Sequence, residues 1–278
     1  MIIPRDFSLS FVKKEQVAHD AYSFYFSANS SEQNLNFLPG QYVKMFLDVQ
    51  NPNDRGSSRT FSIASSPLEK DYVMITTRII QSTFKKTLAS LNPGVEVKFF
   101  GPTGRFVFDE KEPKPHIFLA GGIGITPFHS MLLYASEKKV QTPITLFVSF
   151  SKVEEMVFYD ELTKIAMDHP NIKVVYTITH KDSPGRSPFG HLPGGLPASD
   201  RLWQAGRMDS WKVDPMEHVN TNETGRISED MIKKYCPNFA TSLFYISGPP
   251  AMVDGMVAVV NSLNISDEQI RKEKFIGY

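Results

Sequence analysis

Up to Asp109 the apolar positions come in short runs that alternate with polar ones and are cut by turn residues. Ala21–Ser27, Gln41–Asp48, Arg59–Ala64, Tyr72–Ile79 and Glu96–Phe100 are rich in Val, Ile, Phe, Tyr and Thr. Pro39-Gly40, Asn51–Gly56, Pro93-Gly94 and Gly101-Pro102 separate them. Such spacing predicts strands, with one helix at Phe84–Leu91. Many strands without alternating helices predict an antiparallel β-barrel. Glu110–Pro115, made of charged and proline residues, reads as a linker. Beyond it the period changes. Apolar runs at His116–Ala120, Ile144–Phe150, Lys173–Thr179 and Leu243–Ser247 alternate with helical patterns at Pro127–Ala135, Glu155–Met167, Ser228–Tyr235 (Ser228 as N-cap) and Ala251–Leu263. That alternation predicts a parallel α/β sheet. The expected organisation is therefore a barrel domain over residues 1–110 and an α/β domain over 111–278. An irregular, Pro- and Gly-rich insertion near 180–223 fits neither pattern; stretches of that length are functional lids or disordered segments.

Composition narrows the function. Lysine plus arginine and aspartate plus glutamate number 30 each, so bulk charge gives no reason to expect nucleic acid or an anionic membrane as partner. No apolar run is long enough for a membrane span. Residues 1–6 are too polar for a secretory signal. The lone cysteine, Cys236, cannot form an internal disulfide or hold an iron–sulfur cluster by itself, and favours a reducing, cytoplasmic setting. The histidines His180, His191 and His218 match no zinc spacing. Lys85-Lys86 and Lys138-Lys139 read as solvated helix faces.

Four short motifs carry candidate chemistry. Gly121-Gly122-Ile123-Gly124-Ile125-Thr126-Pro127 follows an apolar strand and opens a helix. Glycines let a backbone approach a pyrophosphate, and a helix N-terminus offers free N–H groups; alone, the pattern also describes a tight turn. Ser247-Gly248-Pro249-Pro250-Ala251-Met252 repeats the strand–turn–helix arrangement at the carboxyl edge of the same sheet. Arg59-Thr60-Phe61-Ser62 lies in the barrel half, where residues two apart share a strand face. Arginine can grip a phosphate through two hydrogen bonds. Gly101-Pro102-Thr103-Gly104-Arg105-Phe106 closes that half.

The order of these motifs, from Gly40-Gln41-Tyr42 to Tyr278, resembles the ferredoxin–NADP reductase superfamily of flavoprotein reductases. The insertion near 180–223 has no match in it. The resemblance implies bound FAD, in preference to FMN, and NADPH or NADH as electron donor. It implies that Arg59 contacts the flavin phosphates, Phe61 packs on the ring and Ser62 bonds near its N5, with Thr60 also in the cofactor-binding set. Thr76, Thr77 and Arg78 would run beside the flavin, and Ser82, Thr83, Phe84 and Lys85 would start a helix at its diphosphate. Gly122, Gly124, Ile125, Thr126 and Pro127 would cradle NAD(P)H, with Gly248, Pro249 and Met252 on the nicotinamide side. Ser62, Ser247 and Glu273 are the catalytic candidates; Phe275 and Tyr278 belong to a C-terminal segment that reaches the flavin. Two positions depart from the family pattern: Ser247 where cysteine is common, and Phe61 where tyrosine is common. The implied reaction is hydride transfer from NAD(P)H to bound flavin, then electron transfer to a separate acceptor, a protein or a small molecule. The alternatives are a reductase of free flavin and a non-catalytic subunit of a larger redox complex.

Overall fold

A computed structural model describes residues 3–27, 35–50, 56–80, 82–179 and 220–275. Its contacts divide the chain into two compact units. The first holds the chain up to Lys111 together with Ile123–Val140; the second holds Glu112–Gly122 and the chain from Gln141 to Ile276.

The first unit contains a six-stranded antiparallel sheet. Its strands are β1 (Arg5–Ala18), β2 (Ala21–Ser27), β3 (Tyr42–Phe46), β4 (Ser58–Ser62), β5 (Val73–Arg78) and β6 (Glu96–Thr103), in the order β4-β3-β6-β1-β2-β5. A bridge between Ile63 and Ile75 joins the two outer strands, closing the barrel. Alternate residues face inward. The core they build is dominated by phenylalanine: Phe11, Phe24, Phe26, Phe61 and Phe99 pack with Val43, Met45, Ile63 and Ile75. Helix α1 (Thr83–Ala89) adds Phe84 and Leu88 to it.

The second unit contains a six-stranded parallel sheet of β7 (His116–Gly121), β8 (Ile144–Phe150), β9 (Ile172–Ile178), β10 (Asn220–Thr224), β11 (Leu243–Gly248) and β12 (Ile270–Lys274). Their order is β10-β9-β8-β7-β11-β12. β7 and β11 are buried along their whole length, as central parallel strands with both faces covered must be. Helices α3 (Tyr159–Asp168), α4 (Glu229–Tyr235) and α5 (Pro250–Ser262) belong to this unit. The strand order reverses between β7 and β11, and in open α/β sheets such a reversal leaves a ligand-binding crevice at the carboxyl ends.

The fold is the expected one, with informative differences. β10 lies within the segment read as irregular, and β12 was not expected. Both are edge strands, β10 wholly polar and β12 charged but for Ile270, held by main-chain pairing with β9 and β11. Helix α3 begins at Tyr159 rather than Glu155, because Phe158 adopts a left-handed backbone (φ 62°) after a short 3-10 turn at Val153–Glu155. Helix α2 (Thr126–Glu137) is buried on most sides and its contacts count it with the barrel. Phe128 meets Phe106 edge-on, 5.6 Å between ring centroids. Lys85 does not lie on a solvated face: it is 5% exposed.

Candidate functional site

In the first unit the candidates gather around β4, β5 and α1. Arg59 donates from Nη1 to the carbonyls of Gly56 (3.0 Å) and Ser58 (2.7 Å), and its guanidinium lies 5.1 Å from the centre of the Phe84 ring. Phe61 stands 6.1 Å from the same ring. Arg59 and Phe61 therefore share a strand face, as their spacing requires. Phe61 is a core side chain, 7% exposed, so its ring forms a floor rather than a projecting plate. Ser62, at the end of β4, is buried, and Thr60 is exposed. On β5 the Thr76 hydroxyl is tied to Ser23 at 2.7 Å, Thr77 is buried, and Arg78 emerges half-buried beside Asp20, 3.4 Å away. Ser82 precedes α1 without capping it, and no acidic residue occupies the first turn at Thr83, Phe84 and Lys85.

In the second unit the candidates sit where β7 and β11 end. Gly121 and Gly248 approach each other closely and leave little room for a side chain. A Cβ on Gly121 would lie 3.0 Å from Met252, and one on Gly248 would lie 3.2 Å from Met252 Sδ and 3.3 Å from the Gly121 backbone. Gly122 is constrained differently: its φ is 50°, and a Cβ there would meet no atom within 4 Å. The turn thus leaves its backbone open to a ligand. Ser247 is fully buried, and its hydroxyl has no hydrogen-bond partner among the described residues. Its parallel neighbour in register is Glu273, on a strand about 5 Å away. The Phe275 amide donates to the Gly248 carbonyl at 2.9 Å. Pro249 precedes α5 without a side-chain cap. The turn that follows Gly122 runs through Gly124 and Ile125 directly into α2, and the Thr126 hydroxyl donates to the Ile123 carbonyl at 3.1 Å. Tyr278 lies outside the described residues, as does most of the insertion.

The helices divide by how they begin. α1, α2 and α5 have no capping side chain and no acid in the first turn. α3 carries Asp160 and Glu161 there, and α4 carries Glu229 and Asp230 behind a Ser228 cap that accepts from the Met231 amide at 3.3 Å. Acids at a helix start complement its dipole, and bound anions use the same N–H groups. Among the described helices, the three acid-free starts are those of the flavin and nucleotide motifs.

An oxidoreductase FAD-binding domain matches residues 8–108, and an oxidoreductase NAD-binding domain matches residues 118–188. The chain belongs to the ferredoxin–NADP reductase superfamily. A flavohemoprotein of Rhodopirellula baltica is 26% identical over 95% of this chain and 59% of its own length. Methane monooxygenase component C of Methylosinus trichosporium is 29% identical over 53% of this chain and 42% of its own. The flavohem-like FAD/NAD-binding domain of nitric oxide dioxygenase from Vibrio cholerae superposes with a TM-score of 0.73 at 14% identity, over 96% of this chain and 98% of that one, a likeness of fold. This superfamily member spans about three fifths of the length of the flavohemoprotein. Among its described residues no helix is long and apolar enough to cross a membrane.

The groups that the family binds fit the residues present. Arg59 and Lys85 bring positive charge to the acid-free start of α1 in the barrel unit, which suits a diphosphate. In the sheet unit the open Gly122 backbone and the unsatisfied Ser247 hydroxyl suit a dinucleotide with a polar end. Buried His129 and Ser130 on α2 were not anticipated; the signal for them was two polar residues inside the apolar run Phe128–Leu132.

Proposed function

We propose that the chain is a flavin-dependent NAD(P)H reductase of the cytoplasm that passes electrons to a separate acceptor. The flavin-binding part lies within residues 1–110 and the nucleotide-binding part within 111–278. Bound FAD supplies the redox chemistry, taking a hydride from the nicotinamide and releasing electrons onward. The chain's own residues bind and orient. Arg59, Thr60 and the start of α1, Ser82–Lys85, hold the diphosphate of FAD. Phe61, Ser62, Thr76, Thr77 and Arg78 line its ring system and ribityl chain. Gly122, Gly124, Ile125, Thr126 and Pro127 hold the pyrophosphate of NAD(P)H, and Gly248, Pro249 and Met252 line its nicotinamide. Phe275 and Tyr278 complete the flavin side, and Glu273 relays a proton.

The observation that carries this reading is Ser247. Among the described residues its buried hydroxyl has no partner, a condition that costs about 1–3 kcal/mol, and it stands at the sheet's switch point beside two glycines. Such a group is retained where a ligand supplies the missing bond. The separate acceptor is supported by the kinds of protein the chain aligns with. The chain aligns with part of a flavohemoprotein and part of a protein named as a monooxygenase component. Ser151 and Lys152, exposed after β8, suit a 2′-phosphate, while exposed Glu154 opposes one by like charge.

The test is an anaerobic absorbance spectrum of the purified protein before and after each nucleotide. Visible flavin bands that bleach with NADPH or NADH establish the reductase and name its donor. Flavin lost on gel filtration but consumed when added free indicates a free-flavin reductase. A colourless protein that takes up no FAD and oxidises neither nucleotide defeats the reading and leaves a docking subunit. In the Glu273→Gln variant, flavin reoxidation slows; unchanged reduction and reoxidation rates would remove the proton relay.

A further inference from the structure

Helix α2 starts at the nucleotide turn, yet two of its side chains grip the end of the flavin strand. His129 and Ser130 are both fully buried. His129 Nδ1 lies 2.7 Å from the Ala64 carbonyl; a carbonyl only accepts, so Nδ1 carries the proton. The Ser130 hydroxyl donates to the next carbonyl, Ser65, at 2.7 Å. The gripped residues are themselves fixed. The Ala64 amide donates to the Met74 carbonyl at 2.8 Å, and the Ser65 hydroxyl accepts from the Met74 amide at 3.1 Å. Glu137, two turns further along (~12 Å of helix), accepts from the Ser66 hydroxyl, which in turn accepts from the Leu68 amide. Three successive residues, 64–66, are thus tied to both ends of one helix, just beyond Ser62 where β4 ends.

Packing alone does not call for these side chains. A leucine and an alanine would fill the same helix face without desolvating an imidazole and a hydroxyl. Hydrogen bonds add what apolar contact lacks, a fixed direction and register.

Resting on the reductase reading, we propose that His129 and Ser130 are positioning residues: through Ala64 and Ser65 they set where Phe61 and Ser62 stand relative to the start of α2 at Ile125 and Thr126. Neither side chain touches the reacting atoms in this role. Their loss would slow hydride transfer without weakening either ligand's grip, because transfer depends on near-attack geometry far more steeply than binding does.

The experiment uses the full chain loaded with FAD, as parent, His129→Leu, His129→Asn and Ser130→Ala. Stopped-flow reduction gives the limiting rate and the half-saturating nucleotide concentration, and visible circular dichroism reports the setting of the bound flavin. His129→Leu should lower the limiting rate by about tenfold or more, leave the half-saturating concentration unchanged and alter the flavin dichroism. His129→Asn, whose amide can donate to the same carbonyl, should recover most of the rate and the parent dichroism. Ser130→Ala should move both readouts in the same direction by less. The proposal is overturned if asparagine is no better than leucine, or if rate and dichroism stay at parent values in the variants. Should His129→Leu fail to fold, a Ser130→Ala protein with parent rate and dichroism overturns it equally. If the parent itself is reduced by neither nucleotide, the reductase reading falls first; a parent that bleaches normally isolates any failure to the positioning role.

Discussion

Helices α4 and α5 begin in opposite ways. α4 opens on a Ser228 cap followed by Glu229 and Asp230, so its first N–H groups and its dipole are satisfied from within the chain. α5 opens on Pro249 and Pro250, with neither cap nor acid, directly after a glycine and a buried serine. The first is a helix start optimised for stability. The second forgoes those increments, as do α1 and α2. The difference teaches where an anion belongs: at the starts that the chain leaves electrostatically open.

The contrast can be tested from its strongest point downward. Gly248→Ala should be the most damaging change, because its φ of 153° disfavours any side chain and an added Cβ would lie 3.3 Å from the Gly121 backbone, which cannot give. A loss of about 2–3 kcal/mol in denaturant unfolding is expected, with nucleotide-dependent flavin reduction impaired. Ser228→Ala should cost about 1 kcal/mol and leave reduction unchanged; a reduction defect would break the comparison. Pro250→Glu places an acid in the first turn of α5. It should stabilise the helix start by about 0.3–1 kcal/mol while raising the half-saturating concentration of NAD(P)H, so stability and affinity move apart. Unchanged affinity would mean that the start of α5 does not face the bound dinucleotide. The smallest effect concerns Glu229, whose pKa is held below the usual carboxylate value first by the Ser262 hydroxyl and then by Lys233. A depressed folded-state pKa gives stability that is present above the ordinary carboxylate range and lost as pH falls through the depressed value. Glu229→Gln should therefore melt slightly below the parent at neutral pH and converge with it in acid.

Much of the architecture was legible in the pattern of side chains. Ala21–Ser27 and Ile144–Phe150 form strands at the expected limits, because their largely apolar, β-branched and aromatic runs match the burial those strands have. β10 and β12 were not legible. Asn220–Thr224 carries no apolar residue and Ile270–Lys274 carries one, so their pairing is invisible until their neighbours are in place. The late start of α3 was equally hidden, since a phenylalanine rather than a glycine takes the left-handed position. Of the candidate site, the glycine turns and the Arg59–Ser62 motif are visible in the sequence as patterns because they depend on local spacing. The isolation of Ser247 and the grip of His129 on Ala64 depend on residues brought together from distant parts of the chain, and no local pattern announces them.

The return of α2 to the barrel has a consequence for heredity. Strand β7 runs through the middle of the parallel sheet, and the next segment of chain, Ile123–Val140, belongs by its contacts to the barrel unit. A gene fragment ending at the linker near residue 110 would encode a barrel stripped of Phe128, His129, Ser130 and Met131. A fragment starting there would carry those residues away from the partners they were selected with. No single splice separates the two units cleanly, so recombination can move this chain as one cassette but cannot exchange its halves without rebuilding α2.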